Sequence, residues 1–241
     1  KNYPDPLEVV GKYGADALRF YLLSSPLVRG EEVRFSERGV DEVSKKIFNR
    51  LDNVLAFYLL YAGTKRTVSS QNVLDLWILA RLHELIAEVT GALEHYEIDK
   101  AARPLGDFID DLSTWYLRRS RERIKGDTLE EREAALAPLG SLLLELSKVL
   151  APFAPFFAEY LYKAVGGEKE SVHLEEWSHA NAFDEKILKE MQEVRKIVSQ
   201  ALEARAKTNI KVRQPLAQLL VSTHLSRELS ALIADEVNVK E

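Results

Sequence analysis

The densest cationic run in the sequence is WYLRRSRERIK, which gathers Trp115, Arg118, Arg119, Arg121, Arg123 and Lys125. Planar guanidinium forks beside an indole suit two kinds of chemistry: bidentate contact to phosphate, and stacking on an unpaired base. On a helical wheel of about 100° per residue, one face carries Leu105, Phe108, Leu112, Trp115 and Tyr116. Arg119 and Arg123 continue that face, so the apolar stripe turns cationic at its end. Arg118, Arg121 and Lys125 fall on the side of Asp107 and Asp111, where solvent, neutralisation and the dipole of a helix C-terminus account for them. Two readings stay open for Arg119 and Arg123. Either they contact RNA, with Arg119 stacked on Trp115 four residues earlier, or they form a buried ion pair.

Other basic residues are placed more loosely. Arg29 and Arg34 lie in VRGEEVRFSERG among Glu31, Glu32 and Glu37, where local ion pairing is the plain expectation. Lys207, Lys211 and Arg213 in AKTNIKVRQP have few acids nearby. They serve either as the charge of a solvated edge strand or as a second phosphate-contacting surface. Nothing in the sequence forms a catalytic constellation: no Gly-rich loop follows a strand, and no Ser, His and acid share a nucleophile setting. Asp110-Asp111 and Glu175-Glu176 read as ordinary acids. The absence of Cys excludes disulfides, thiolate nucleophiles and thiolate zinc sites. The five His are scattered: His83 and His95 on one helix, His173 and His179 near Trp177, and His224 near a turn. Packing or exposure explains each, and no metal site is expected.

The elements that must position these residues are helices. Gly and Pro are sparse, and apolar residues recur at i, i+3, i+4 and i+7 over most of the 241 residues. Pro6 after Asp5 starts a short helix to about Tyr13; Gly14 interrupts it, and Ala15 to Ser24 resume. After a loop, Asp41 to Tyr61 form a long helix with Val43, Ile47, Leu51, Val54, Leu55 and Tyr58 inward, broken by GTKRTVSSQN. Val73 to Tyr96, a helix from about Asp99, and a third capped by Asp127 or Thr128 follow. Pro104 and Pro138 are expected to kink these helices or shift their starts. A last apolar helix ends at Gly166-Gly167. Beyond it, SVHLEEW alternates, Phe183 to Ala206 is a charged helix, IKVRQPLAQLLVST reads as a strand and SRELSALIADEV as a helix. The expectation is a mainly α protein: an antiparallel helix bundle followed by a small α/β C-terminal segment. The division is 1–38 as connector and helical hairpin, 39–175 as the bundle, and 176–241 as the C-terminal junction. The net charge of −5 argues against a non-specific DNA coater but leaves room for a local basic patch. No apolar run of about 18 residues suggests a membrane span and no signal peptide is visible, so the cytoplasm is the expected location.

KNYPDP followed by KYGADALRFYLLSSP resembles the passage after the KMSKS signature loop of class I aminoacyl-tRNA synthetases, in the isoleucyl, valyl and leucyl group. EVRFSE, WYLRRSR, VHLEEW and IKVRQPL, in order along the chain, fit the isoleucyl type best. The resemblance implies an ATP-dependent ligase joining isoleucine to its tRNA, of which these residues are the helical anticodon-binding domain and the start of the C-terminal region. It implies the anticodon stem-loop of isoleucine tRNA as partner, and the catalytic domain of the same polypeptide as neighbour. DNA and membranes are not expected as partners. The HIGH and KMSKS motifs are not in these residues, so the chain alone is expected to be inactive, with ATP and Mg belonging to the parent enzyme and no cofactor here. Both ends read as cuts: KNYPDP as a severed join, NVKE as a stop without a closing element. By the resemblance Arg34, Trp115, Arg118, Arg119 and Arg121 face tRNA; Arg123 is added by the wheel, and Lys211 and Arg213 by their basic segment. The alternatives are a valyl- or leucyl-type fragment, or a helical protein-interaction module whose arginines are structural.

Overall fold

The computed structural model describes residues 4–62, 70–126 and 128–240. The chain divides into two compact units, one up to Ala182 and one from Phe183. The candidate break after Tyr61 falls mostly on residues 63–69, and the candidate cap Asp127 and the first three residues of KNYPDP also lie outside the described residues.

The first unit opens with α1 (Pro6–Tyr13) and α2 (Ala15–Leu23). Asp5 caps α1 by accepting the Leu7 N–H, and Pro6 supplies a preset φ where no N–H is needed. Gly14 separates the two helices at φ +87°, a conformation that a side chain would strain. A 3-10 turn (Pro26–Arg29) leads to α3 (Glu37–Val43), which Ser36 caps through the Gly39 N–H. The chain then continues without a break through a π-helical stretch (Ser44–Phe48) into α4 (Asn49–Tyr61). Ile47, Leu51, Val54 and Leu55 are buried as the periodicity predicts, and Phe48 joins them.

Three long helical rods complete the bundle. The first is α5 (Val73–Glu94), capped by Asn72. The second is α6 (Ile98–Asp110), which passes through a π-helical stretch (Asp111–Leu117) into α7 (Arg118–Lys125). The third is α8 (Leu129–Leu150). Thr128 and Glu131 close a capping box at the start of α8, each side chain bonding the other's backbone N–H. Pro104 and Pro138 lie inside α6 and α8, so neither sets a helix start. α5 packs against α6 and α8, and α7 and α4 also pack on α8. The core between them holds Trp77, Ile78, Leu82, Leu85, Leu105, Phe108, Leu139, Leu142 and Leu146, all almost fully buried. α9 (Pro155–Ala164) lies on α8, and Asp16 of α2 reaches its first turn, accepting the Phe157 N–H at 2.6 Å. The following segment folds back on the bundle: Trp177 donates its indole N–H to Thr90 at 2.8 Å, and Ser178 donates to Glu145 at 2.8 Å.

The second unit is α10 (Glu185–Lys207) and α11 (Arg227–Val237), packed on one another. The segment IKVRQPLAQLLVST, read from its composition as a strand, is not one. Among its residues only Leu216 makes a bridge, an isolated parallel one to Val239, and the rest forms turns and irregular chain. Apolar character alone does not make a strand, which needs a neighbouring strand to take its N–H and C=O groups. Here Leu220 and Val221 stay exposed. The α/β segment expected at the C-terminal side is therefore helical with an irregular connection.

Candidate nucleic-acid interface

The arginine-rich helix is reached through the π-helical stretch, and that stretch changes which side chains point inward. Before it, the buried apolar positions are Ala101, Ala102, Leu105, Phe108 and Ile109, at ordinary α spacing. Within it Leu112 keeps that spacing but Trp115, Tyr116 and Leu117 are all buried, and beyond it the buried residues are Ser120 and Ile124. A wheel of constant pitch puts Arg119 and Arg123 there. A wider turn holds one more residue per hydrogen-bonded ring, so the phase advances by one position. Arg119 and Arg123 consequently flank the core stripe instead of continuing it, and both are only half-buried.

Several side chains brace this irregular stretch. Asp110 pairs with Arg50 of α4, and Asp111 with Arg81 of α5 at 3.2 Å. These acids, ordinary in the sequence, tie α4 and α5 to the start of the wide turn. Inside it, Thr114 donates its hydroxyl to the Asp110 carbonyl at 2.8 Å, and Arg118 donates Nε–H to the Thr114 carbonyl at 2.8 Å. Side-chain donors of this kind take up carbonyls on which a π turn weakens the regular ladder.

The guanidinium groups of Arg118 and Arg119 lie 5.9 and 5.7 Å from the centre of the Trp115 ring. Arg121 lies 5.8 Å from the ring of Phe57 on α4, whose own neighbour Tyr61 is 5.0 Å away. Each of the three cations is thus laid on an aromatic face, an attraction of about 0.5–1 kcal/mol at exposed sites. Trp115 is only 7% exposed, so it acts as the floor under two arginines and offers little ring surface of its own. Arg118 and Arg121 are exposed.

Arg123 has a different environment. Its guanidinium grips Asp75 of α5, with Nη1 at 2.6 Å from Oδ2 and Nη2 on Oδ1. Asp75 is fully buried and also accepts from the hydroxyls of Tyr116, at 2.7 Å, and Ser70. Burial works against the charge on Arg123, but the bond and field of Asp75 outweigh it and hold the guanidinium protonated above its usual range. Burial, reinforced by the negative charge of Asp75, raises the Tyr116 hydroxyl well above the usual tyrosine range, so it remains a donor. Of the two readings open for Arg123, the structure supplies the ion pair. Lys125 pairs with Glu122 at 2.8 Å on the exposed side.

The remaining candidates stand apart from this cluster. Arg34 is exposed on the loop before α3 and makes no hydrogen bond or ion pair with a described residue. Its neighbours fix the loop: the Ser36 N–H bonds the Tyr21 hydroxyl at 3.2 Å, and Phe35 meets the Tyr21 ring edge-on at 5.7 Å. Arg29, by contrast, pairs with Glu31 and with the buried Asp99 at 2.7 Å. Lys211 and Arg213 belong to the second unit and are exposed. His95, His173, His179 and His224 are exposed, and His83 accepts the Asn181 N–H at 3.4 Å. Among the described residues no group of His, Cys, Asp or Glu has the arrangement to hold a metal ion. Sequence reasoning missed Asp75, Asp110, Asp111 and Arg205 as structural anchors. A lone Asp in the first turn of a helix reads as a dipole partner, and nothing local marks its distant cation.

The site is thus a cluster of arginines set beside aromatic rings on one rod of a helix bundle. Comparison with known proteins shows the family. Residues 75–221 match the model of the anticodon-binding domain of tRNA ligase, and the chain belongs to that family. It is 40% identical to the isoleucine–tRNA ligase of Chlamydia trachomatis serovar A over 258 aligned positions, covering all of this chain and 25% of that protein. The isoleucine–tRNA ligase of Deinococcus radiodurans is also 40% identical, over 99% of this chain and 24% of that protein. The chain thus spans about a quarter of the length of these relatives. The fold also matches part of the LeuRS of Agrobacterium radiobacter K84, solved in a ternary complex with tRNA and LeuAMS. That match has a TM-score of 0.52 and 23% identity, over 77% of this chain and 21% of that one. Among the described residues no helix is long and apolar enough to cross a membrane.

Proposed function

We propose that this chain is the tRNA-binding part of an ATP-dependent isoleucine–tRNA ligase of the cytoplasm, and that it recognises the anticodon stem-loop of isoleucine tRNA. The observation that carries the proposal is the cluster at the start of α7: Arg118 and Arg119 over Trp115, and Arg121 over Phe57. The aromatic rings give the three guanidinium groups a fixed place beside the helix, from which a fork can meet a phosphate or a splayed base. Arg34 would add a contact from its loop, and Lys211 and Arg213 would meet the RNA backbone from the second unit. Arg123 is assigned a supporting role through Asp75. The identity of 40% to isoleucine–tRNA ligases, against 23% to the LeuRS, favours the isoleucyl type. Adenylation and the ATP and Mg it consumes are assigned to the part of the parent enzyme outside these residues, and the catalytic domain would be the intramolecular neighbour.

The test is a titration with an isoleucine tRNA transcript and a mismatched tRNA at two salt concentrations. The expected result is preference for the isoleucine transcript and affinity that falls steeply with salt. The slope of log affinity against log salt should be shallower by about 0.7 for each single-strand phosphate contact removed from Arg118, Arg119 and Arg121 by alanine. Binding that is absent at low salt, or indifferent to salt, would refute the proposal and favour a protein-interaction module with structural arginines.

A further inference from the structure

In the second unit, the turn that carries Lys211 and Arg213 is held by a residue that is itself buried. Arg205 is 4% exposed, yet its hydrogen bonds go to three backbone carbonyls and to no carboxylate of a described residue. Nη1 donates to the carbonyls of Lys211 at 3.2 Å and Gln214 at 3.0 Å, and Nη2 donates to that of Asn238 at 3.0 Å. Asn238 returns a second pin, its side-chain amide donating to the Val212 carbonyl at 2.8 Å. The C-terminus of α10 is closed just before this turn. Asn209 is left-handed at φ +56°, the Ile210 N–H bonds the Arg205 carbonyl at 2.9 Å, and the Asn209 N–H bonds the Ala206 carbonyl at 3.2 Å. That pair of bonds is a Schellman closure with Asn in the glycine position.

The arrangement holds the backbone of the turn by its carbonyls and leaves its side chains free. With the carbonyls of residues 211 and 214 bonded by Arg205 and that of residue 212 by Asn238, the side chains of Lys211, Val212 and Arg213 are exposed. No acidic residue occurs from Ala204 to Arg227, in a chain whose net charge is −5. Because Arg205 is satisfied by carbonyl dipoles and not by a carboxylate, its charge adds to the positive potential of the turn instead of cancelling.

We infer that Arg205 is a positioning residue that fixes the 207–213 turn as a contact for an RNA phosphate backbone, touched through Lys211 and Arg213. The inference rests on the RNA-binding reading above and adds the device by which the second unit would take part. The fork matters because Nη1 and Nη2 reach these carbonyls from two separate nitrogens, whereas an ammonium offers its three donors from a single atom.

The experiment uses the whole chain and the isoleucine tRNA transcript, with affinity followed across a salt series. Replacing Lys211 and Arg213 together by Ala should flatten the slope of log affinity on log salt by about 0.7–0.9 per cation. Between about 50 and 200 mM salt, the wild type should then lose about tenfold more affinity than the variant. Arg205→Met should flatten the slope equally while circular dichroism shows the helices retained, and should add nothing in the Lys211→Ala/Arg213→Ala background. Arg205→Lys, which keeps the charge and loses the fork, should resemble Arg205→Met. Asn238→Gly, which keeps the left-handed turn and removes only the bond to Val212, guards against misfolding of the Arg205 variants and should give part of the effect. The inference is overturned if the double alanine flattens the slope while Arg205→Met and Asn238→Gly leave it unchanged, or if Arg205→Lys behaves as wild type. It is also overturned if the double alanine has no effect while alanines at Arg118, Arg119 and Arg121 do, which leaves the main reading standing. Absence of salt-dependent binding by the wild type removes both.

Discussion

Replacing Asp75 by Ala removes the acceptor on which Arg123, Tyr116 and Ser70 converge. Breaking a buried ion pair from one side costs about 3–5 kcal/mol, because the partner's charge is left without compensation. Arg123 is 29% exposed in its side chain, so its freed guanidinium can turn partly to water, and the lower end of that range applies. The Tyr116 hydroxyl has no such exit. It is fully buried, and leaving it without an acceptor costs about 1–3 kcal/mol. The two losses share one carboxylate and do not simply add, so about 4 kcal/mol is the expected total. In a unit of this size that lowers Tm by roughly 8–16 °C.

The converse change, Arg123→Ala, leaves the carboxylate buried with two hydroxyls and no cation, at about 3–5 kcal/mol. Urea unfolding of the whole chain, followed by circular dichroism for Asp75→Ala, Arg123→Ala and the double variant, supplies the cycle. The pair should show a coupling of about 3 kcal/mol, so that the double variant loses about 5 kcal/mol, only about 1 more than either single one. Tyr116→Phe tests the same network from its third member and should cost about 1.5–3 kcal/mol, as expected for a bond to a charged acceptor. It has a pH signature as well. The folded chain keeps the phenolic proton beyond the ordinary tyrosine pKa of about 10, where the unfolded chain releases it. The stabilisation is complete below that pH and is lost as pH rises toward the raised folded value, and Tyr116→Phe should flatten this alkaline loss. The reasoning fails if Arg123→Ala leaves Tm unchanged and lowers tRNA affinity. Arg123 would then be a direct contact, and its bond to Asp75 would carry no weight.

Three further outcomes follow from local geometry. A methyl group at Gly167 would overlap the ring of Tyr162, which is fully buried and pinned at its hydroxyl by Glu175 and the Lys169 N–H. Gly167→Ala should therefore destabilise by about 1–3 kcal/mol in thermal unfolding, although alanine usually stiffens a chain favourably. Glu159 accepts the Val172 N–H at 2.9 Å and the Ser171 hydroxyl at 2.8 Å, and these bonds hold its carboxyl below the usual range. The resulting stability is present above the ordinary carboxylate pKa and is lost as pH falls through the lowered folded value. Glu159→Gln should weaken that acid dependence in a series of melts. Thr128→Ala opens the capping box of α8 and should cost about 1 kcal/mol, read as a lower urea midpoint with an unchanged m-value.

Most of the helical order is legible in the sequence because its signals are local. Pro6 after Asp5, Gly14 between two apolar runs, and Thr128 three residues before Glu131 each carry a backbone requirement within a single turn. What is not legible depends on partners elsewhere. Residues 210–221 have strand-like composition, but only Leu216 finds a bridging partner, and no periodicity in the segment could announce that. Arg205 looks like any basic residue in the last turn of a helix, and its burial follows from carbonyls of residues 211, 214 and 238 that the fold brings around it. The cluster WYLRRSR is visible as composition, whereas its orientation is not. A wheel assumes one pitch, and the π-helical stretch from Asp111 to Leu117 has another.

That change of pitch connects the fold to the site. With an unbroken α-helix, Arg119 and Arg123 would fall where Ser120 and Ile124 now sit, both with no exposed surface. Two guanidinium groups would then need buried partners, at a desolvation cost of several kcal/mol each. The wide turn instead hands those positions to a small hydroxyl and an aliphatic side chain. Arg123 slips to the margin, where Asp75 meets it, and Arg119 and Arg118 come to lie on Trp115. The turn leaves carbonyls poorly served, and one of them, on Thr114, is taken by Arg118 itself. Arg118 therefore supports the distortion that presents it. A substitution there should disturb Arg119 and Arg121 along with it, so the salt slope of Arg118→Ala should fall by more than one contact, whereas Arg121→Ala, whose floor is Phe57 on α4, should remove about one.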